Sequence, residues 1–145
     1  MKNFEEIIKY AQDCSRISGP KKIAVAFAQD DDVLKAIKAA VNEGICEPIL
    51  VGDKEKILDI SGDIDFDLSN IEIIDDKDGS SACRRAVSLV SSGHAQIVMK
   101  GLIDTSIILK AVLDKEIGLR TGNILSHAAV FSVDTYHKLF IVTDA

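Results

Sequence analysis

The chain predicts an α/β fold in which a mainly parallel sheet is flanked by helices. Short apolar runs alternate with stretches of helical period at least four times, and parallel neighbours need the crossovers that such helices provide. Hydrophobic residues make up 47% of the chain but aromatic residues only 5%, with no Trp, so the core must be built from Ile, Val, Leu and Ala. That composition suits strands buried on both faces. At 145 residues the chain has the size of one hydrophobic core, burying about two thirds of its unfolded surface. A single α/β domain over 1–145 is expected.

The elements follow in order. Phe4, Ile7, Ile8 and Ala11 share one face of an opening helix that ends near Gly19-Pro20. A strand over 23–27 comes next. Gln29-Asp30-Asp31-Asp32 opens a helix carrying Val33, Leu34, Ile37, Ala40 and Val41 at core spacing, closed by Gly44. Residues 48–51 form a short buried strand, and Asp53 caps a brief helix through Leu58. An acidic connector leads to a strand over 71–74. Residues 80–92 are helical and Gly93 ends them. A strand over 97–99 and a helix over 104–115 follow, then a Gly-rich loop and two apolar runs, 128–133 and 139–142, close enough to pair antiparallel.

Charge excludes some functions. A net charge of −6 is wrong for a general nucleic-acid surface, which needs clustered Lys and Arg. Lys21-Lys22 and Arg84-Arg85 read as solvated edges. The N-terminus carries acids where a signal peptide has an apolar run, and no segment approaches spanning length, so no membrane role is expected. Cys14, Cys46 and Cys83 are odd in number and form no CxxC pattern. They read as free, mostly buried thiols of a reducing cytoplasm.

The chemistry concentrates in 97–127. A strand ending in Lys100-Gly101 lets backbone approach a ligand, and the helix opening at Asp104-Thr105 aims unpaired N–H groups at the same spot. Arg120-Thr121-Gly122 offers a second cation and a hydroxyl. Ligands in open α/β sheets bind beyond the carboxyl ends of the strands, where Ala28-Gln29-Asp30, Gly52-Asp53 and Lys100-Gly101 fall. Lys100, Lys110 and Arg120 can converge there, although Lys110 also fits a helix surface. Other clusters read as structural. Asp30-Asp31-Asp32 suits a first helical turn without a metal. Asp63, Asp65 and Asp67 begin a calcium-loop pattern that fails at Leu68 and Ile74. His94 fits a helix end, and His127 reads as either a half-buried histidine or part of the site. No metal site is expected. Neither GxxxxGK[ST] nor GxGxxG occurs.

Lys100-Gly101-Leu102-Ile103 with Thr105, then Leu113-Asp114-Lys115-Glu116-Ile117-Gly118-Leu119-Arg120-Thr121-Gly122, then Leu125-Ser126-His127-Ala128-Ala129-Val130-Phe131, resemble the phosphate butyryltransferase branch of the phosphate acyltransferases. Ile23-Ala24-Val25-Ala26, Ala28-Gln29-Asp30 and Pro48-Ile49-Leu50-Val51-Gly52-Asp53 resemble that family's opening strands. The resemblance covers nearly the whole chain, whereas family members are roughly twice as long. It implies an isocitrate/isopropylmalate dehydrogenase-like αβα sandwich, incomplete at the C-terminus. It also implies transfer of a short acyl group from coenzyme A to phosphate, with the coenzyme A thioester as substrate and no separate cofactor. Lys100, Gly101, Thr105, Lys110, Arg120, Thr121, Ser126 and His127 would then bind phosphate or coenzyme A. The family's catalytic groups would lie in the absent half, leaving this chain a truncated, inactive one. The alternative is a stand-alone phosphate- or coenzyme A-binding regulatory module. A third option, the metal-dependent 2-hydroxyacid decarboxylating dehydrogenases of the same architecture, lacks its paired metal carboxylates. The apolar terminal strand also leaves homo-oligomer formation open.

Overall fold

The computed structural model describes residues 2–143. They form α1 (Phe4–Ser18), β1 (Lys21–Ala26), α2 (Asp31–Asn42), β2 (Cys46–Gly52), α3 (Lys54–Asp63), β3 (Glu72–Asp75), α4 (Gly79–Ser91), β4 (Ile97–Lys100), α5 (Thr105–Val112), β5 (Ala128–Phe131) and β6 (Phe140–Thr143). Four strands make a parallel sheet in the order β3-β2-β1-β4. β5 and β6 pair antiparallel as a separate hairpin. The expected α/β architecture is therefore present.

The two-residue side-chain period sorts the inner strands. Ala24, Ala26, Ile49 and Val51 are buried on one face, under α4 and α5, while Val25 and Leu50 are buried on the other, under α2 and α3. α4 meets Ala24 and Ala26 with its own small residues, Ala82, Cys83 and Ala86, all fully buried. Small facing small lets helix and sheet pack closely without voids. Cys46 is buried too and Cys14 is intermediate, and all three thiols are free.

The direction in which successive strands are added to the sheet reverses between β1 and β4. After β1 the chain steps outward through β2 to β3, and α4 then carries it back across the sheet to β4 on the other side of β1. The loops leaving β1 and β4 are joined there by backbone: Gly101 N donates to Ala26 O at 2.8 Å and Leu102 N to Phe27 O at 3.2 Å. Phe27, expected as the last strand residue, instead turns out of β1 with φ of 60°, a region that costs a bulky residue energy. A Cβ on Gly101 would stand 2.2 Å from the Phe27 carbonyl oxygen. Glycine is needed here so that two pieces of backbone can meet.

Two helix lengths depart from expectation. α3 continues past Leu58 to Asp63, because Ile57 is buried in the second face and Ile60 packs against the same cluster. α5 stops at Val112, short of Lys115. The Asp114 carboxylate accepts from the N–H groups of Glu116 and Ile117 at 2.8 and 3.1 Å, drawing the chain into a turn. α1 contributes no buried residue and is tied to the end of α2 by Gln12 and Ser15, which donate to Glu43 and Gly44.

Two glycine substitutions should move stability in opposite directions. Gly101→Ala meets backbone that cannot yield, and should lower unfolding free energy in urea by about 1–3 kcal/mol. Gly62→Ala, in α3 with open space around it, should raise it by about 0.5–1 kcal/mol. Equal effects would remove the special status of the Phe27–Gly101 contact.

Candidate functional site

The carboxyl ends of the sheet strands are ringed by aspartates. Asp30, Asp53 and Asp78 stand at the starts of α2, α3 and α4, and each carboxylate accepts a first-turn N–H: from Val33 at 3.0 Å, Lys56 at 3.4 Å and Ser81 at 2.7 Å. Those helix ends already hold negative charge, which is favourable at the positive end of a helix dipole and leaves less for a ligand anion. Asp53 is 7% exposed and lies within 4 Å of the ammonium groups of Lys56 and Lys77. Asp76 accepts from Ser81 Oγ at 2.6 Å and pairs with Arg85 at 2.7 Å.

α5 is the exception among these helices. Its N-cap residue, Asp104, makes no side-chain cap. Thr105 is exposed at the first helical position, directly after Lys100-Gly101. The Lys100 ammonium folds back over its own loop, donating to Ile103 O at 2.7 Å and Gly101 O at 3.2 Å. Carbonyl bonds of this kind leave its charge unneutralised, and it acts on the buried Cys83 thiol nearby. Burial raises the pKa of that thiol, and the Lys100 charge opposes the rise.

Arg120, Thr121 and Ser126 line one concave surface of about 470 Å³ with Asn123. Val112, Leu113, Leu119, Ile124 and Leu125 supply its apolar wall. Arg120 makes no ion pair among the described residues, so the carboxylate partner that would reduce it to a structural group is not found there. The loop starts at the far end of α5, where Leu119 N donates to Val112 O at 2.8 Å. Lys100, Gly101 and Thr105 thus sit at the beginning of α5 and Arg120 at its end. The eight residues between them span about 12 Å of helix. Lys110 is exposed in the last turn, and His127 is exposed just before β5, outside the lining of this cavity.

Arg84 and Arg85, expected as solvated edges, are both bonded to aspartates. Arg84 donates to Asp114 at 2.6 Å. With Glu116 and Ile117, it makes Asp114 the hub of the turn that presents Gly118, Leu119 and Arg120. A Cβ on Gly118 would be 2.3 Å from the Asp114 carbonyl oxygen, so the turn closes only around glycine. Sequence reasoning missed Arg84 because thirty positions separate it from Asp114 and only α4–α5 packing unites them. Asn123 was missed as well, though its place beside Gly122 in the loop was a usable signal.

A family model described as phosphate acetyl/butaryl transferase matches residues 3–84, more than half of the chain. The chain belongs to this family. Among its members, a phosphate butyryltransferase from Clostridium beijerinckii is 50% identical over 144 residues, 99% of this chain and 46% of that one. A phosphate acetyltransferase from Thermotoga maritima is 38% identical over 124 residues, 86% and 42% of the two chains. The chain thus spans a little under half the length of the curated relatives it matches. The butyryltransferase alignment also runs through the Lys100–His127 block, beyond the part that the family model covers. Among solved structures, a branched-chain phosphotransacylase from Enterococcus faecalis superposes with a TM-score of 0.63 at 27% identity, over 86% of this chain and 42% of that one. A phosphotransacetylase from Streptococcus pyogenes gives 0.71 at 15% identity, over 94% and 50%, which speaks for the fold alone.

The Asp114 turn yields a pH prediction. Two backbone donors and then Arg84 hold its carboxyl at about 2, below its ordinary value. A depressed folded-state value means that its contribution is complete above the unfolded value, near 4, and is lost as pH falls towards 2. An NMR titration should find its midpoint close to 2 in the wild type and nearer the ordinary range in Arg84→Ala. A midpoint of 4 in the wild type would remove Asp114 as the hub.

Proposed function

We propose that this chain provides the phosphate- and coenzyme A-binding part of a phosphate butyryltransferase. The reaction moves a short acyl group from the thioester sulfur of coenzyme A to an oxygen of inorganic phosphate, giving an acyl phosphate and free coenzyme A. The observation that carries this reading is the Arg120 cavity, where a guanidinium with no ion pair among the described residues, two hydroxyls and an amide share the lining with aliphatic side chains. A charged phosphoryl head with a short hydrocarbon tail matches that division. Alignment with phosphate butyryltransferases over 144 residues, a span that includes this loop, supports it.

Phosphate is already largely ionised near neutral pH and needs little help from a base to attack a thioester. Bringing two anionic reactants together is harder, and stabilising the oxyanion that forms at the carbonyl is harder still. Positioning can contribute on the order of 7–11 kcal/mol and a single oxyanion donor about 3–4 kcal/mol. On this reading Arg120 and Thr121 hold phosphoryl oxygens, Ser126 borders the acyl chain, and Lys100 with the open start of α5 attracts the phosphates of coenzyme A. The 12 Å length of α5 suits a carrier that is itself elongated. The thioester is a substrate, with no separate cofactor, and the free thiols fit a cytoplasmic setting.

The 145 residues alone are expected to bind coenzyme A without turnover, measured as thiol release from butyryl-CoA and phosphate. A chimera joining them to the remainder of the Clostridium beijerinckii relative should turn over, and Arg120→Ala should lower its kcat/KM about 100-fold, as loss of a charge-assisted phosphoryl contact does. Arg16→Ala, an exposed pair with Asp13 on α1, should leave it unchanged. An inactive chimera that is folded, or an Arg120→Ala chimera with full activity, would overturn the assignment.

A further inference from the structure

The face of the sheet that buries Val25 and Leu50 under α2 and α3 continues through Ile23 down to Lys21 at the start of β1. There the cover is α1, which buries none of its own residues and is held to the turn after α2 by Gln12 and Ser15. Ala11 and Cys14 of α1 and Ala40 of α2 are too small to reach the sheet. A cavity of about 330 Å³ is left between them and Ile23 and Ile97.

The lining is almost wholly carbon. Close packing is the rule in protein interiors, so a space of this size walled by hydrocarbon gains contacts when apolar matter enters it. Ser15 already donates to Gly44 O at 2.6 Å. Among the described residues, the single charge in the lining is the exposed Lys21, whose ammonium makes no ion pair or hydrogen bond there. Such a site suits a molecule that is hydrocarbon for most of its length and anionic at one end.

We propose that this cavity binds an aliphatic monocarboxylate of medium chain length, its tail between α1 and the sheet and its carboxylate on the Lys21 ammonium. One ammonium suits a singly charged carboxylate. A phosphate ester carries more charge and more oxygens, and would leave most of them against carbon. The sheet separates this site from the Arg120 cavity, whose Val112 and Leu119 pack on the face covered by α4 and α5. The proposal is therefore independent of the acyl-transfer reading.

Calorimetric titration of the 145-residue chain with butyrate, hexanoate and octanoate tests it. Each added methylene should tighten binding about three- to fourfold. Octanoate at saturation should slow alkylation of Cys14 by iodoacetamide about tenfold, since that thiol lines the cavity and is only partly buried. Lys21→Gln should weaken octanoate about tenfold and leave octanol unchanged, whereas Lys22→Gln and Arg120→Ala should leave both unchanged. No binding by the wild-type chain, or affinity that ignores chain length, would overturn the proposal. Loss in Arg120→Ala but not in Lys21→Gln would move the acid to the other cavity and overturn it as well. Octanoate that binds the 145-residue chain but not the folded chimera would put the remaining polypeptide in this space, and Cys14 protection that rises with protein concentration alone would put a second copy there. Either result ends the proposal. An active chimera that ignores octanoate sinks only this site, and an inactive one that binds it sinks only the acyl-transfer reading.

Discussion

The contact between Phe27 and Gly101 governs this fold, because everything at the carboxyl ends of the strands is placed relative to it. The strand order reverses between β1 and β4, and two backbone hydrogen bonds there join loops more than seventy residues apart. Phe27 accepts a left-handed conformation to offer its carbonyl, and Gly101 gives up a side chain to reach it. In open α/β sheets this reversal is where a ligand crevice forms. Here its floor is closed by backbone, and the start of α5 emerges directly above.

The charge pattern around that crevice follows from how helices begin. Each of α2, α3 and α4 starts with an aspartate that bonds its own first turn, which stabilises the helix locally and surrounds the strand ends with negative charge. Lysines and arginines answer it in pairs, as Lys77 does with Asp53 and Glu55, and Arg85 with Asp76. Exposed pairs of this kind contribute little individually. Their effect is selective instead: α5, whose start lacks the carboxylate cap that α2, α3 and α4 have, and the loop of Arg120, which has no ion pair among the described residues, become the places where an anion meets least competition.

α5 connects those two places. Its start is set by the Gly101 contact and its end by the Asp114 turn, which Arg84 of α4 holds from outside. A short helix clamped at both ends by tertiary contacts keeps Lys100 and Arg120 at a fixed separation. The β5–β6 hairpin beyond it lies apart from the parallel sheet and exposes Phe131, Phe140 and Ile141.

Periodicity revealed the alternating helices and strands, composition the two-sided burial of strands such as Ala24 to Ala26 and Ile49 to Val51, and the family entered as a resemblance carried by local motifs, all of them legible from residues close together in the chain. The last turn of α3 was not read, since the expected helix ended at Leu58, although the spacing of Ile57, Ile60 and Ile64 was a usable signal. The end of α5, the bonding of Arg84 and the grouping of Arg120 with Thr121, Asn123 and Ser126 away from Lys100 were not legible. Each is decided by a hydrogen bond, a steric limit or a packing contact that forms only when distant segments meet. Residue type says what a side chain can do, and local spacing says which helix or strand carries it. Which groups share a surface is set by strand order and close backbone approach, neither of which leaves a local trace.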